Sequence, residues 1–433
     1  MKSLRAFPLQ GTPNPGDDAE TGTPASALRR RLVAGAAGAG ILGASRAFAA
    51  SVGSTGALGF TELPDGALAE QIMYALPGKV PLIKKTYRPP NFETPIQYFR
   101  QAITPNNAFF VRYHLAGIPE VKLEKWSLEV GGESVEHALK FTHAELKKAF
   151  KPAEVTAVCQ CSGNRRGLFV PHVTGVEWGV GAMGNARWRG VRLRDILEKA
   201  GVKSDALEVV LDGADHPPLD KTPDFVKSIP IEVARDENTL VAFEMNGKPL
   251  PHWNGFPARL IVPGWTGTYW VKHLTSIKVV SKPEANFWMS AAYRLPRGKF
   301  KTPSFKSQVK EANEPITTMV VNSLITSIRN GQKVEAGKPV AVKGIAWDGG
   351  AGIDKVEVSG DGGKSWRNAL LGKDLGRYAF REFSLSVPTA KRGSMVIMAR
   401  ATSRSGETQV EALIHNPAGY HHNVIQRLEV KVA

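Results

Sequence analysis

The sequence predicts an α+β domain followed by an all-β immunoglobulin-like sandwich. Three observations carry this expectation. The chain has 433 residues, more than one ordinary hydrophobic core serves. In its first part, strand-like alternation is interleaved with helix patterns that carry capping residues. From Thr318 only short apolar runs recur, punctuated by Asp348-Gly349-Gly350, Asp361-Gly362-Gly363 and Ser405-Gly406, the pattern of a sandwich. The expected boundaries are a leader over 1–49, the α+β domain over 50–310 and the sandwich over 311–433, with a Lys/Pro/Ser-rich linker at 301–315.

The leader begins with a Pro/Gly/Thr-rich stretch. Arg29-Arg30-Arg31 then precedes a small apolar run, Ala34 to Gly43, and an Ala47-Phe48-Ala49 cleavage pattern. Paired arginines before a short apolar run read as a twin-arginine export signal and predict a periplasmic protein. An ordinary secretory leader and an uncleaved anchor are the competing readings. The run is too short and too rich in Gly and Ala to span a bilayer, and no later stretch is long enough. Formal charge is +16; residues 1–49 carry six Lys/Arg and three Asp/Glu, so removing them leaves +13. The basic residues are scattered, which argues against a nucleic-acid arm and favours attraction of an anionic substrate or an acidic partner. Two neighbouring cysteines give no sign of a disulfide framework.

Taken in order, residues 60–100 read as a surface wrap. Asn107 to Leu115 alternates as a strand, with Arg112 and His114 on one face. Trp126 to Gly132 reads as strand and turn. Thr142 is placed to cap a helix, with Glu145 at its third position. Glu154-Val155-Thr156 opens a buried strand that runs to Cys159-Gln160-Cys161 and a polar turn, Ser162-Gly163-Asn164-Arg165-Arg166-Gly167. Cys159 and Cys161, two apart, share a face and are poorly set for an unstrained disulfide. No further ligand pattern supports zinc. Cys159 reads as a small buried hydrophobe. Cys161 stays open between that and a thiolate ligand, because two guanidiniums follow it. Val191–Ala200 reads as a helix ending at Gly201, and Leu207–Asp212 as a strand turning at Gly213. Asp215, in the loop beyond, is by itself an ordinary turn residue. Asn246-Gly247 marks a hairpin. Gly264-Trp265-Thr266-Gly267, followed by Lys272, suits close approach of backbone to a phosphate. Trp178 and Tyr293 read most simply as packing.

Cys161-Ser162-Gly163-Asn164-Arg165-Arg166-Gly167 resembles the molybdenum-ligand loop of the sulfite oxidase family, in particular of its bacterial sulfite:cytochrome c oxidoreductases. The resemblance covers nearly all of the chain after the leader. It implies a molybdopterin-binding sulfite oxidase fold, one molybdenum-molybdopterin per chain and Cys161 as metal ligand. It makes Phe109-Phe110-Val111-Arg112-Tyr113-His114 a pterin-contacting strand, with Phe110 to His114 as the contacts and Arg112 and His114 also at the substrate pocket. Arg166, Trp178 and Tyr293 would bound the anion pocket. Asp215, Arg259 and the Trp270-Val271-Lys272 segment would hold the cofactor. Asn254 stands where vertebrate members carry a His, and His252 lies two positions earlier, so either is a candidate contact. Other departures are Thr174 in place of a lysine, no Arg near Tyr269, and no Arg within Asn416–Asn423. Gly344-Ile345-Ala346-Trp347 and the stretch from Val356 to Trp366 resemble the family's dimerisation domain.

The implied reaction is oxidation of sulfite to sulfate. The chain contains no Cys-x-x-Cys-His, so no haem is expected on it. A separate c-type cytochrome is the expected electron acceptor or subunit, and a homodimer is the other expected assembly. Alternatives are a relative acting on sulfane sulfur or sulfoxides, an oxidase using oxygen, and a periplasmic binding or adhesion protein without a metal.

Overall fold

The structure is a computed structural model. It describes residues 73–297, 313–389 and 392–433, which all fall in one compact unit. The leader, most of the linker and the expected boundary at 310/311 lie outside the described residues.

Two sheets with helices on their flanks form the main core of the first domain. In one, the strands run in the order Lys227–Pro230, Glu208–Gly213, Leu274–Val280, Ser127–Gly131 and Leu139–Thr142. In the other, the order is Lys248–Pro249, Leu240–Met245, Met183–Arg192 and Pro152–Gln160, and Arg259–Ile261 pairs with the second of these. Their apolar faces enclose Trp188, Val191, Leu211, Val241, Leu260 and Ile277, all fully buried. The helix Leu193–Ala200 closes this core with Leu193, Ile196 and Leu197, and ends at Gly201 in the left-handed conformation that glycine favours. It begins two residues later than the apolar pattern predicts, because Val191 and Arg192 still belong to the long strand. The helix His143–Ala149 starts on the predicted capping box. Glu145 N–H donates to Thr142 Oγ1 at 3.3 Å, and Thr142 N–H donates to Glu145 Oε2 at 2.8 Å.

Two expectations change. The stretch near residues 60–100 is more than a wrap: Leu82, Phe92 and Phe99 are fully buried, and its strands form a small sheet with Val111–Arg112. Asn107–Leu115 is strand only at Val111–Arg112. Phe109, Phe110 and Val111 are buried in succession. Val111 packs on Leu82 and Phe92, while Phe109 and Phe110 enter the main core. Where the segment is wedged between two cores, over Phe109–Val111, alternation is lost; from Val111 to Leu115 buried and half-buried residues alternate.

The second domain is a two-sheet sandwich. One sheet runs Asn322–Ile325, Val340–Trp347, Arg381–Val387, Leu370–Leu371; the other runs Lys333–Val334, Gln426–Val432, Gly393–Ser403, Ile353–Ser359, Arg367–Asn368. Val342, Val356, Ile397 and Leu428 fill the space between them. The strand Val340–Trp347 runs unbroken through Gly344. At Gly344 an added methyl would lie 2.2 Å from the Leu324 carbonyl oxygen, so only glycine lets the strands approach.

A shared core joins the domains. Phe99, Val158, Leu168, Val180 and Met183 pack against Met319, Leu324, Ile345, Trp347 and Phe380. Among the described residues no helix is long and apolar enough to cross a membrane.

Candidate active site

The strand Pro152–Gln160 pairs with Met183–Arg192 along its whole length, and Cys161 N–H extends the ladder by donating to Ala182 O at 2.9 Å. This delivers Cys159 and Cys161 to the end of the sheet, where they line one cavity of about 670 Å³, its mouth included. Phe110, Arg112, Tyr113, His114, Asp215, Asn254, Arg259, Trp270, Lys272 and Tyr293 line the same cavity. Residues remote in sequence therefore converge around the thiol.

The lining is cationic: Arg112, Arg259 and Lys272 stand against Asp215 alone. Arg259 is 4 % exposed and donates to the carbonyls of Asn254 (3.0 Å) and Trp270 (2.9 Å). It lies between the Trp188 and Trp270 rings, at 5.2 and 5.8 Å from their centroids. Lys272 donates to the Trp253 carbonyl at 3.4 Å and lies over the Tyr113 ring. Burial, and then the Arg259 charge, pull the Lys272 pKa well below the usual lysine range. Burial raises the Asp215 pKa, and Lys272 opposes that rise. Arg112 donates to Asn91 Oδ1 at 3.2 Å and to the Tyr113 carbonyl.

His114 Nε2 is bonded to the Tyr293 hydroxyl, and its ring stacks on Phe225 with centroids 3.5 Å apart. Burial, then the charges of Arg112, Lys272 and Lys227, hold it neutral, its pKa well below 6.5. Tyr293 adopts φ +56°, unusual for a bulky residue, and stacks on Tyr420 of the second domain at 5.8 Å.

Four of the expected residues lie outside this lining. Val111 and Val271 are fully buried core side chains. Trp178 is 0 % exposed within the main core, and its indole N–H has no partner among the described residues. Arg166 sits behind the wall. Its guanidinium donates to the carbonyls of Ala418 (3.0 Å) and Val176 (3.3 Å) and covers the Tyr420 ring at 5.0 Å. A methyl on Gly163 or Gly175 would come within 2.5 or 2.8 Å of that guanidinium, so the glycines make its slot. Its neighbour Arg165 turns the other way at φ 69° and donates to Ser323 O at 2.8 Å in the second domain.

Of the two candidates near residue 254, His252 is outside the lining and Asn254 is within it. The Asn254 amide also ties the wall together. Its Oδ1 accepts from Lys79 Nζ at 2.6 Å, and its Nδ2 donates to Phe110 O at 3.1 Å. Lys79 donates further to the carbonyls of Asn106 (2.7 Å) and Phe109 (3.0 Å), and burial pulls its pKa to about 7.

Sequence reasoning missed Lys79, and among the lining residues Cys159, Phe225, Trp253 and Thr268. Gly267, the second glycine of the motif singled out for phosphate approach, is in the lining, and Thr268 follows it directly. A methyl at Gly267 would stand 3.0 Å from Cys159 Sγ, which explains the second glycine of that motif. Nothing local marks Lys79 or Phe225.

Buried polar atoms at the cavity have no hydrogen-bond partner among the described residues, among them Thr268 Oγ1, Arg259 Nε and, one residue from the lining, Thr266 Oγ1. Native proteins seldom leave such atoms unpaired. Donors and unpaired cations of this kind suit an anionic, phosphate-bearing ligand, and a thiol at one end suits a soft metal. The residues present therefore fit a molybdopterin, with Cys161 to hold the molybdenum and Arg259, Lys272 and Thr268 to hold the organic part. No cluster of three or more His, Cys, Asp or Glu set to bind a metal without a cofactor occurs among the described residues.

Comparison with known proteins agrees. Residues 114–288 match the oxidoreductase molybdopterin binding domain, and residues 313–433 the Mo-co oxidoreductase dimerisation domain. The mitochondrial sulfite oxidase of Homo sapiens is 34% identical over 379 residues, covering 82% of this chain and 67% of that protein. The mitochondrial sulfite oxidase of Drosophila melanogaster is 34% identical over 367 residues, with 80% and 62% covered. The chain thus spans about two thirds of the length of these relatives. The solved structure of the sulfane dehydrogenase SoxCD from Paracoccus pantotrophus matches with a TM-score of 0.69 at 27% identity, covering 86% of this chain and 91% of that one. A thiol-bearing cationic cavity in this fold, with relatives of this similarity, means that the chain belongs to the sulfite oxidase family of molybdopterin oxidoreductases.

Proposed function

We propose that the protein oxidises sulfite to sulfate in the periplasm, after twin-arginine export, and passes the electrons singly to a separate c-type cytochrome. One observation carries this reading: Cys161 opens into a cavity lined by Arg112, Arg259 and Lys272 with only one carboxylate. Such a cavity favours a small oxyanion beside a thiol-held metal. The cofactor, when bound, supplies the oxygen-atom transfer and accepts the electron pair. In the net reaction sulfite and water give sulfate, two protons and two electrons. Arg112 holds the anion's oxygens through its guanidinium. The neutral His114 and the Tyr293 hydroxyl form a hydrogen-bonded pair at the same wall, placed to order water and exchange a proton. Trp178 and Arg166 act from behind the wall, stiffening the loop that carries Cys161. We assign residues 1–49 to the export signal, 50–310 to the catalytic domain and 311–433 to a domain through which two copies associate, or beside which a cytochrome subunit docks. One molybdenum per chain and no haem on this chain complete the assignment.

The likeness to sulfane dehydrogenase SoxCD favours a second reading, in which the substrate carries sulfane sulfur. Purified protein analysed for molybdenum and assayed with cytochrome c separates the two. Sulfite-dependent reduction is expected. Reduction with thiosulfate alone selects the second reading, and metal-free native protein sinks both.

A further inference from the structure

Lys227 heads the strand Lys227–Pro230 and is 1 % exposed. Its ammonium donates to the Trp288 carbonyl at 2.6 Å. It lies 4.5 Å from the centroid of the Tyr269 ring and 5.4 Å from that of Tyr293. No carboxylate forms an ion pair with it among the described residues. Glu208 acts on it only at longer range, and Arg294 repels it. A charge so placed is costly, and an apolar side chain of similar length would fill the position more cheaply.

Lys227 is outside the lining of the cavity that Cys161 and Arg112 share, while the Tyr293 ring, 5.4 Å from its ammonium, is part of that lining. Its field reaches across, since Lys227 is among the charges that keep His114 neutral. It also holds the short helix Phe287–Ser290 by the Trp288 carbonyl, five residues before Tyr293 takes its left-handed turn. We propose that Lys227 is a positioning residue for the reacting anion: it sets positive potential behind Tyr293 and fixes the segment that presents the tyrosine hydroxyl to His114. Burial draws its pKa down to about 7, so an anion across the ring favours its charged form. No arginine neighbours Tyr269 in sequence, where the resemblance to its family leads one to expect one; in space Arg294 acts on that tyrosine and Lys227 lies against its ring.

The inference rests on the reading that the cavity takes sulfite and releases sulfate. It is tested by measuring the dissociation constant of sulfate from the cofactor-loaded protein by calorimetry, in wild type, Lys227→Gln and Lys227→Arg. Glutamine keeps a donor for the Trp288 carbonyl and removes the charge; arginine keeps the charge. Lys227→Gln is expected to weaken sulfate binding about tenfold, the effect of one unit charge at this range in a partly screened interior. Lys227→Arg is expected to stay within about threefold of wild type. Wild-type protein that does not bind sulfate overturns the sulfite reading itself. Wild-type binding with an unchanged Lys227→Gln, or equal losses in both variants, overturns the role of the charge. A Lys227→Gln protein that cannot be recovered folded also overturns it, since the ammonium would then serve the fold alone.

Discussion

Cys159 and Cys161 face the same cavity and differ in what surrounds them. Cys159 packs under Arg259 and Gly267, and burial pushes its thiol pKa up to about 11. A thiol held protonated is a poor ligand. Cys161→Ser is therefore expected to leave the fold intact and abolish bound molybdenum, while Cys159→Ala retains it; metal content per chain checks both. Lys79 behaves differently again. Lys79→Met orphans Asn254 Oδ1 and two carbonyls, and is expected to cost about 2–3 kcal/mol in urea denaturation and to weaken cofactor retention. Cys161 could be singled out from its neighbours because the glycine and two arginines stand beside it in sequence. Lys79 could not, since its partners Asn106, Phe109 and Asn254 lie in separate segments.

At the level of single elements, local chemistry was most readable where the backbone itself demands certain residues. Thr142 and Glu145 announced a helix start, and Asn246 and Gly247, at φ 53° and 73°, announced a tight hairpin. Thr142→Ala is expected to lower stability by about 1 kcal/mol with unchanged activity, read as a shift in urea midpoint. Periodicity failed where an element is covered on both sides. Phe109, Phe110 and Val111 are consecutive and all buried, so no alternation could report their true environment. The same reason hid Arg166: a guanidinium followed by glycine looks like an anion clamp, and only the fold reveals that carbonyls and Tyr420 surround it.

At the level of the whole molecule, the shared core of Phe99, Val158 and Met183 with Leu324, Trp347 and Phe380 binds the two domains together. A single calorimetric unfolding transition is expected; two resolved peaks would contradict it. Acid should destabilise the protein. His273 and His422 are buried, His114 and His421 are half-buried, and desolvation holds all four neutral, with pKa values of about 3, 4 and 3 for His273, His421 and His422. The folded state does not take up these protons, and the unfolded state does below about pH 6.5. Stability is then complete above that value and falls by about 1.4 kcal/mol per histidine per pH unit below it. Asp212, raised to about 6, and Asp215, raised by burial, act in the opposite sense but are fewer. The urea midpoint is expected to be lower at pH 5 than at pH 7. This balance was invisible in composition, which counts histidines without knowing which are covered.

Trp347 Nε1 donates to Gln160 Oε1 at 2.8 Å, and Gln160 is the residue next to Cys161. The sandwich therefore works as a splint for the sulfur. A shear between the two halves of the chain would reach the Cys161 thiol through one amide and one peptide unit, so the sandwich and the cavity wall are mechanically a single body.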